Sequence, residues 1–309
     1  MTVSWQSRGA VPAVPAIVRA TVIVNPAAGP RRRDDVALRV SQALRAHGGD
    51  PRVLVTEGPG HGLALSREEA AAGTALVIAW GGDGTVNEVG TGLLYTPTRL
   101  GIVPAGSGNG LANALGIPRQ PDRAVALALG GRDRRIDAGE IGGRLFFNVA
   151  GVGFDAHVAQ IFSVAAARSR GLSGYVWTTL RELWRYRVES LRLEHGGSRT
   201  EERALIVAFA NGSQYGNGAR IAPGARLDDG ALDLVVVRPG GGPLANLWRA
   251  RRLFDGSLDR DPGAWRELVT EAAVEGERPM LFHVDGEPVQ GPARLEVRVH
   301  PGALVVRSA

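Results

Sequence analysis

Three corners of one kind recur in the first third of the chain, each directly after a short apolar run. Asn25-Pro26-Ala27-Ala28-Gly29 follows Ala20–Val24. Gly81-Gly82-Asp83-Gly84-Thr85-Val86-Asn87-Glu88 follows Ala75–Trp80, and Pro104-Ala105-Gly106-Ser107-Gly108-Asn109-Gly110-Leu111-Ala112-Asn113 follows Leu100–Val103. A fourth run, Arg52–Thr56, lies between the first two. Helix-length stretches alternate with the runs: Asp34–His47, with Val36, Leu38, Val40 and Leu44 as its apolar set, then Gly62–Ala72, Thr85–Leu94, Leu111–Leu115 and Arg123–Leu129. Val- and Ile-rich strands separated by helices predict βαβ units and a parallel sheet covered on both faces. The three corners then fall at carboxyl ends of strands, where open α/β sheets bind their ligands.

Glycine lets a backbone approach an oxyanion and turn its N–H groups toward it. A helix N-terminus adds a partial positive charge. One such corner is an ordinary tight turn; three at neighbouring strand ends, two of them opening a helix, point to a phosphate. Composition narrows how that phosphate is held. All 36 Lys+Arg residues are Arg, so a P-loop lysine, a kinase strand lysine and a Schiff base are all excluded. Backbone N–H groups, the hydroxyls of Thr85 and Ser107, Arg or a metal must serve. With no Cys, thiolate catalysis, disulfides and Cys-ligated metals are excluded as well.

After Ile136 the texture changes. Leu145–Ala150, Ser190–Glu194, Ala204–Ala210, Ala231–Val237, Met280–Val284, Ala293–His300 and Leu304–Arg307 read as strands, several separated by Gly, Asn and Asp turns. This predicts a mainly antiparallel β unit, interrupted by helices over Tyr175–Val188 and Leu244–Phe254. Gly130-Gly131-Arg132-Asp133 is the expected boundary, giving units of residues 20–132 and 133–309.

Other motifs fail. Gly82-Asp83-Gly84 is followed by Asn87 where a dinucleotide fingerprint needs Gly. Gly151-Val152-Gly153-Phe154-Asp155-Ala156 fits G-x-G-x-x-A but lacks the acid about 20 residues on. The nucleophile elbow G-x-S-x-G fails at Ser107, because Ala105 takes the first Gly position. The six His show no metal-ligand spacing and read as surface or core residues. Residues 1–19 lack the apolar core of a signal peptide, and no run approaches 18 apolar residues. A soluble chain with at most peripheral membrane contact is expected. The formal charge of +5 suits an anionic partner, either a phosphorylated ligand or a membrane surface, and no nucleic-acid signature is present.

Gly81–Glu88 together with Pro104–Asn113 resembles the diacylglycerol kinase catalytic-domain family of lipid kinases, which includes bacterial diacylglycerol kinases and the sphingosine and ceramide kinases. The resemblance extends to Val24–Gly29, Asn148–Asp155, Arg226-Leu227-Asp228-Asp229-Gly230-Ala231-Leu232-Asp233 and Val284-Asp285-Gly286-Glu287-Pro288, from about Ala20 to Gln290. It implies a Rossmann-like α/β domain, related to those of NAD kinases and phosphofructokinases, followed by a β-sandwich domain that takes the lipid. ATP and Mg²⁺ are the implied cofactors. The implied nucleotide contacts are Asn25, Pro26, Ala27, Ala28, Gly29, Thr56, Gly81, Gly82, Asp83, Gly84, Thr85, Asn87, Glu88, Gly106 and Ser107. The implied proton acceptor is Glu287, with Asp285 beside it. A structural Mg²⁺ is implied at the carbonyls of Arg226 and Ala231 and the carboxylate of Asp229. Many bacterial diacylglycerol kinases carry Asp where this chain has Gly110, nearer the sphingosine-kinase-like loop, which bears on the substrate more than on the reaction.

Phosphoryl transfer needs positioning, charge neutralisation and a proton acceptor. Glu287 or Asp285 can take the proton, and Asp83 offers hard oxygens to Mg²⁺, directly or through water. Asp285-Gly286 is equally a hairpin turn signal, and a turn can present a carboxylate to a cleft. Trp177, Leu180, Leu183 and Trp184 fall on one helical face, and Trp248 and Arg251 mix on a second helix. These read as helices packed on the sandwich or as an interfacial patch for anionic headgroups. The expected protein is a cytoplasmic lipid kinase peripheral to the inner face of the membrane, acting first on diacylglycerol, with a homodimer left open. A sphingoid-base kinase, a soluble NAD-kinase-like enzyme and a non-catalytic nucleotide sensor are the competing readings.

Overall fold

The structure is a computed structural model that describes residues 18–28, 36–165, 181–216 and 218–309. Strands β1 (Val18–Val24), β2 (Gly49–Val55), β3 (Leu76–Gly81) and β4 (Arg99–Pro104) pair in parallel in the order β2-β1-β3-β4. Helices α1 (Val36–Ala46), α2 (His61–Ala71), α3 (Asp83–Leu93), α4 (Gly110–Ala114) and α5 (Pro121–Gly130) surround them. Val22, Ile23 and Val24 are all fully buried in succession. A strand can bury consecutive residues only if both sheet faces are covered, and α1 packs beside α5 while α2 packs beside α3. The predicted alternation is realised, with boundaries displaced by a few residues. The chain leaves β1 toward β2 and returns on the other side of β1 as β3. That reversal places the carboxyl ends of β1 and β3 at a topological switch point.

Beyond α5 come β5 (Arg132–Ile141), β6 (Arg144–Phe146), β7 (Val149–Gly153), α6 (Phe154–Ala165), β8 (Glu189–His195), β9 (Ser198–Ala204), β10 (Ile206–Ala210), β11 (Leu232–Val237) and α7 (Pro243–Asp255). A 3₁₀ turn (Leu258–Arg260), β12 (Ala264–Val269), β13 (Glu271–Glu275), β14 (Leu281–Val284), β15 (Glu287–Gln290) and β16 (Arg294–Ser308) follow. One antiparallel sheet runs β12-β11-β10-β7-β14-β15; the other continues the parallel sheet as β4-β16-β13-β8-β9. The sandwich core between the sheets includes Phe146, Phe209, Leu234, Val274, Phe282 and Leu295. Strand β11 shows why alternation is absent from its sequence. Leu232, Leu234 and Val236 enter that core, while Val235 and Val237 pack on the opposite face, toward a third cluster containing Phe154, Leu183 and Leu258.

Several expectations change. Ala293–His300 and Leu304–Arg307 are one 15-residue strand. Pro301-Gly302 reads as a turn signal, but it lies where the β5–β16 register shifts between His300 and Leu304, so it makes a bulge. Leu145–Ala150 breaks into β6 and β7 at residues 147–148. Strand β5 was hidden by its charged front, Arg132-Asp133-Arg134-Arg135, and β9 by the polar residues of a sheet edge. The sequence pattern does not announce α6, β12 or β13, and β15 is signalled only by the Asp285-Gly286 turn before it. Of the helix expected over Tyr175–Val188, residues 181–185 are helical, and Trp177 and Leu180 lie outside the described residues. Leu183 is buried while Trp184 is exposed, so these two do not share one face.

β16 pairs with β4 through Val306 and Leu100 and with both β5 and β13. Its Ala303, Leu304 and Val306 belong to the core of the first unit. Replacing Leu304, fully buried there, with Ala should cost about 2–5 kcal/mol. Urea denaturation followed by circular dichroism checks this; a loss under about 1 kcal/mol would contradict the placement of β16 in that core.

Candidate active site

The three corners touch one another. Asn25 donates its backbone N–H to Trp80 O (3.1 Å) and its side-chain amide to Thr85 Oγ1 (3.1 Å), which ties the first corner to the second. Ala27 N returns to Asn25 Oδ1 at 2.9 Å. Thr56, buried after β2, donates its N–H to Val24 O at 2.8 Å. The second and third corners meet glycine to glycine: a Cβ on Gly106 would lie 2.6 Å from Gly82 Cα. Only glycine permits that approach of two backbones. Gly82 caps α3 without a side-chain hydrogen bond. The amides of Gly84 and Thr85, in the first turn, have no helical backbone acceptor, while the Asp83 amide is met by its own carboxylate. Ser107 is exposed at the rim, and Gly29 lies outside the described residues.

Asp83 binds protein more than it faces solvent. Its Oδ2 accepts the N–H of Asn109 (2.8 Å) and its Oδ1 that of Gly110 (2.6 Å), which caps α4. Burial pushes its pKa up to about 6, reinforced by the charge of Asp285 and opposed by those amides. Asn109, at φ 53°, accepts from Gly106 N (3.0 Å) and donates to Gly106 O (2.7 Å), and this holds the third corner closed. Glu88, expected among the nucleotide contacts, has both oxygens on the amides of Gly60 (2.7 Å) and Gly62 (2.9 Å) at the start of α2. Gly110 has no room for the acid of the bacterial relatives: a Cβ there would lie 2.2 Å from Asn148 Nδ2.

The second unit reaches this site through the β14–β15 hairpin. Asp285 and Gly286 sit at φ 49° and 87°, the pair of positive values that a two-residue Asp-Gly hairpin needs. The Asp285 carboxylate receives four donors: Asn87 Nδ2 (2.8 Å) and Phe147 N (3.0 Å) on Oδ2, Asn148 N (2.9 Å) and Val149 N (3.1 Å) on Oδ1. Burial raises its pKa and these donors oppose the rise. Asn87 also donates to Leu145 O at 2.9 Å, so α3 is bound to the second unit twice. Glu287 follows the hairpin. Its carboxylate lies over the second corner: a Cβ on Gly84 would meet Oε1 at 2.9 Å. No hydrogen bond or ion pair joins it to a described residue. The surrounding protein raises its pKa, with Glu88 as the second cause.

The turn expected to hold Mg²⁺ lies elsewhere in the second unit, before β11. Asp228 pairs with Arg134 (3.0 Å) and Arg226 (3.5 Å), and Asp229 Oδ1 accepts Ala231 N at 3.2 Å. Buried Asp137 clamps the turn, its oxygens taking Gly230 N (2.7 Å) and Gly302 N (2.6 Å). The carbonyls of Arg226 and Ala231 and the Asp229 carboxylate are hard oxygens, the donors Mg²⁺ prefers. Among the described residues no three His, Asp or Glu side chains converge on a common point.

Sequence reasoning missed a buried polar hub behind the hairpin. Asp155 Oδ2 accepts Tyr215 OH (2.9 Å) and His283 Nε2 (3.1 Å), and His283 Nδ1 faces the N–H of Gly286 at 3.4 Å. The hub thus ties α6 to the hairpin of Glu287 and to Tyr215, whose carbonyl abuts Gly110. His283, two residues before Asp285 on a strand, is a core residue as expected, and its nearness to the Asp-Gly turn is the available signal for the hub. Gly151–Ala156, the near-fit to a dinucleotide fingerprint, is instead the passage from β7 into α6.

Removing Asp155 takes the acceptor from the buried His283 imidazole. Asp155→Ala should therefore destabilise the protein by about 2–5 kcal/mol, measured by urea denaturation, and a cost below about 1 kcal/mol would contradict the hub. A second test concerns pH. With its native pKa near 6 and an unfolded value near 3.9, Asp83 binds more protons in the native state across that interval. Its contribution then falls as pH rises, by ~3 kcal/mol at most. The Asp83→Asn variant should gain on the native protein between pH 4 and 7 in unfolding experiments. A pH-independent difference would show that the Asp83 pKa is not raised.

Comparison with known proteins now places the chain. Residues 19–141 match the diacylglycerol kinase catalytic domain, and residues 148–308 match the YegS C-terminal NAD kinase beta sandwich-like domain. A "Probable lipid kinase YegS-like" protein of Chromohalobacter salexigens is 36% identical over 269 residues, 84% of this chain and 85% of that one. A protein of the same description from Pseudomonas aeruginosa PAO1 is 34% identical over 266 residues, 85% of this chain and 86% of that one. In fold the chain is similar to a crystal structure described as a diacylglycerol kinase from Bacillus anthracis, with a TM-score of 0.71 at 21% identity, covering 95% of this chain and 98% of that one. The chain belongs to the diacylglycerol kinase catalytic-domain family, as a YegS-like lipid kinase.

Proposed function

We propose that the chain transfers the γ-phosphoryl group of ATP to the hydroxyl of a lipid alcohol, diacylglycerol first, in a Mg²⁺-dependent reaction at the inner face of the membrane. The observation that carries this reading is the Glu287 carboxylate, without a described partner, held over Gly84 at the open N-terminus of α3. Amides of Gly84 and Thr85, with the backbones of Gly82 and Gly106, would receive the phosphates. Mg²⁺ would neutralise phosphate charge, with Asp83 reaching it through water and the Arg226–Ala231 turn as a separate structural site. The alcohol oxygen attacks the γ-phosphorus in line. The bond from that phosphorus to the bridging oxygen breaks, ADP departs, and the alcohol proton passes to Glu287. Burial and the nearby charge of Glu88 raise the pKa of Glu287, which strengthens it as a proton acceptor. Asp285, engaged by four donors, would position the hairpin more than take the proton.

Gly110 keeps a sphingoid base or another lipid alcohol as the second reading, since Asn148 occupies the space an acid would need. Radiolabelled γ-phosphate supplied with a mixed lipid extract tests both, because the labelled product names the acceptor. Glu287→Gln should lower transfer at least a hundredfold, in line with the roughly 10²–10⁴ that a positioned proton acceptor contributes, while ATP binding by calorimetry persists. Equal labelling by the variant would remove Glu287 from the chemistry. ATP binding with no labelled lipid from the native protein would favour a nucleotide sensor.

A further inference from the structure

Helix α7 lies far along the chain from every corner residue and carries a coherent outward face. Leu247, Trp248, Arg251, Phe254 and Asp255 fall within about 120° of the helix circumference at 100° per residue. Trp248 and Phe254 are 64% and 60% exposed, and Leu247 is 41% exposed. The opposite side packs Ala250 and Leu253 onto the outer face of the six-stranded sheet. Asp261 fixes the helix to the following 3₁₀ turn through Arg249 (3.1 Å) and Arg252 (3.6 Å). This exposure is therefore borne by a helix pinned at its inner side.

The charges around the face are lopsided. The Arg251 guanidinium stands 5.4 Å from the centre of the Trp248 ring. Together with Arg260, and with Arg220 beside Gly256 at the end of the helix, it forms no ion pair with a described residue. Trp248, Arg251, Arg252, Asp255, Ser257 and Arg260 line a basin of about 370 Å³, headgroup-sized and rimmed by cations. Aromatic rings with arginines on one exposed helix face match a bilayer interface, where the rings enter the acyl boundary and the guanidiniums meet phosphates. A protein partner would ask for a closed apolar patch; here the apolar residues alternate with charge, and Arg251, Arg252 and Arg260 face the single carboxylate of Asp255 in the basin lining.

We infer that the outer face of α7, with the basin at its C-terminal end, docks the enzyme on anionic phospholipid bilayers. The inference rests on the lipid-kinase reading for its purpose. Its test is binding, which does not require turnover. Sedimentation with vesicles of phosphatidylcholine containing phosphatidylglycerol should pull down the native protein. Pure phosphatidylcholine should bind it at least tenfold more weakly, and added salt should weaken the anionic interaction. The Trp248→Ser/Phe254→Ser and Arg251→Gln/Arg260→Gln variants should each lose about tenfold in vesicle affinity. Both should keep the native thermal midpoint and native turnover of a short-chain, water-dispersed diacylglycerol. Vesicle binding unchanged in both variants would overturn the inference, as would equal binding to neutral vesicles. So would a lipid-free native protein that sediments as a dimer and becomes monomeric in the variants, since the face would then join two copies. Failure of the native protein to phosphorylate the dispersed lipid would count against diacylglycerol as the acceptor alone.

Discussion

One carboxylate holds the two halves of this protein in working relation. Asp285 takes N–H donors from residues 147–149 in the second unit and from the Asn87 side chain on α3 in the first. A half-buried carboxylate is tolerated because its oxygens are filled by donors. Because those donors come from both units, they also set where the hairpin sits. Glu287 is two residues further on, so its approach to Gly84 follows from the seating of Asp285. In the proposed site the first unit supplies the glycine corners and the second the Glu287 carboxylate, and neither is complete without the other.

The cradle rests on a second constraint, the contact of Gly82 with Gly106. Strands β3 and β4 are parallel neighbours, so their carboxyl ends are adjacent, but side chains at the corners would hold the loops apart. Asn109 then closes the third corner on itself, and Asp83 anchors the start of α4. The raised pKa of Asp83 is first the cost of burying a carboxylate in such a compact arrangement, to which the nearby charge of Asp285 adds.

Much of this was legible in the sequence, for physical reasons that differ from place to place. The parallel sheet announced itself because β1 and β3 must be apolar on both faces, and the corners because glycine is obligatory where backbones meet. The Asp-Gly hairpin was readable because positive φ at two successive positions has few sequence solutions. What stayed hidden depends on contacts distant in the chain. The Asp155–His283–Tyr215 hub joins three segments whose sequences carry no shared spacing. Glu88 looked like part of the second corner, yet its position on α3 directs it to α2. Pro301-Gly302 signals a turn in isolation, and only Asp137, far away in sequence, makes it a bulge inside a continuous strand.

β16 gives the molecule an unusual order of assembly. β4 waits through nearly the whole of the second unit for its outer neighbour, since β16, which completes the first core and also contributes Leu295 and Val297 to the sandwich, comes after every other strand described. The nascent nucleotide half therefore carries an open sheet edge during synthesis. Pairing across so large a sequence separation is slow to form, and exposed edges recruit other chains. Maturation of the proposed catalytic corner should thus await β16, and whatever shields that edge meanwhile would govern yield more than catalytic competence.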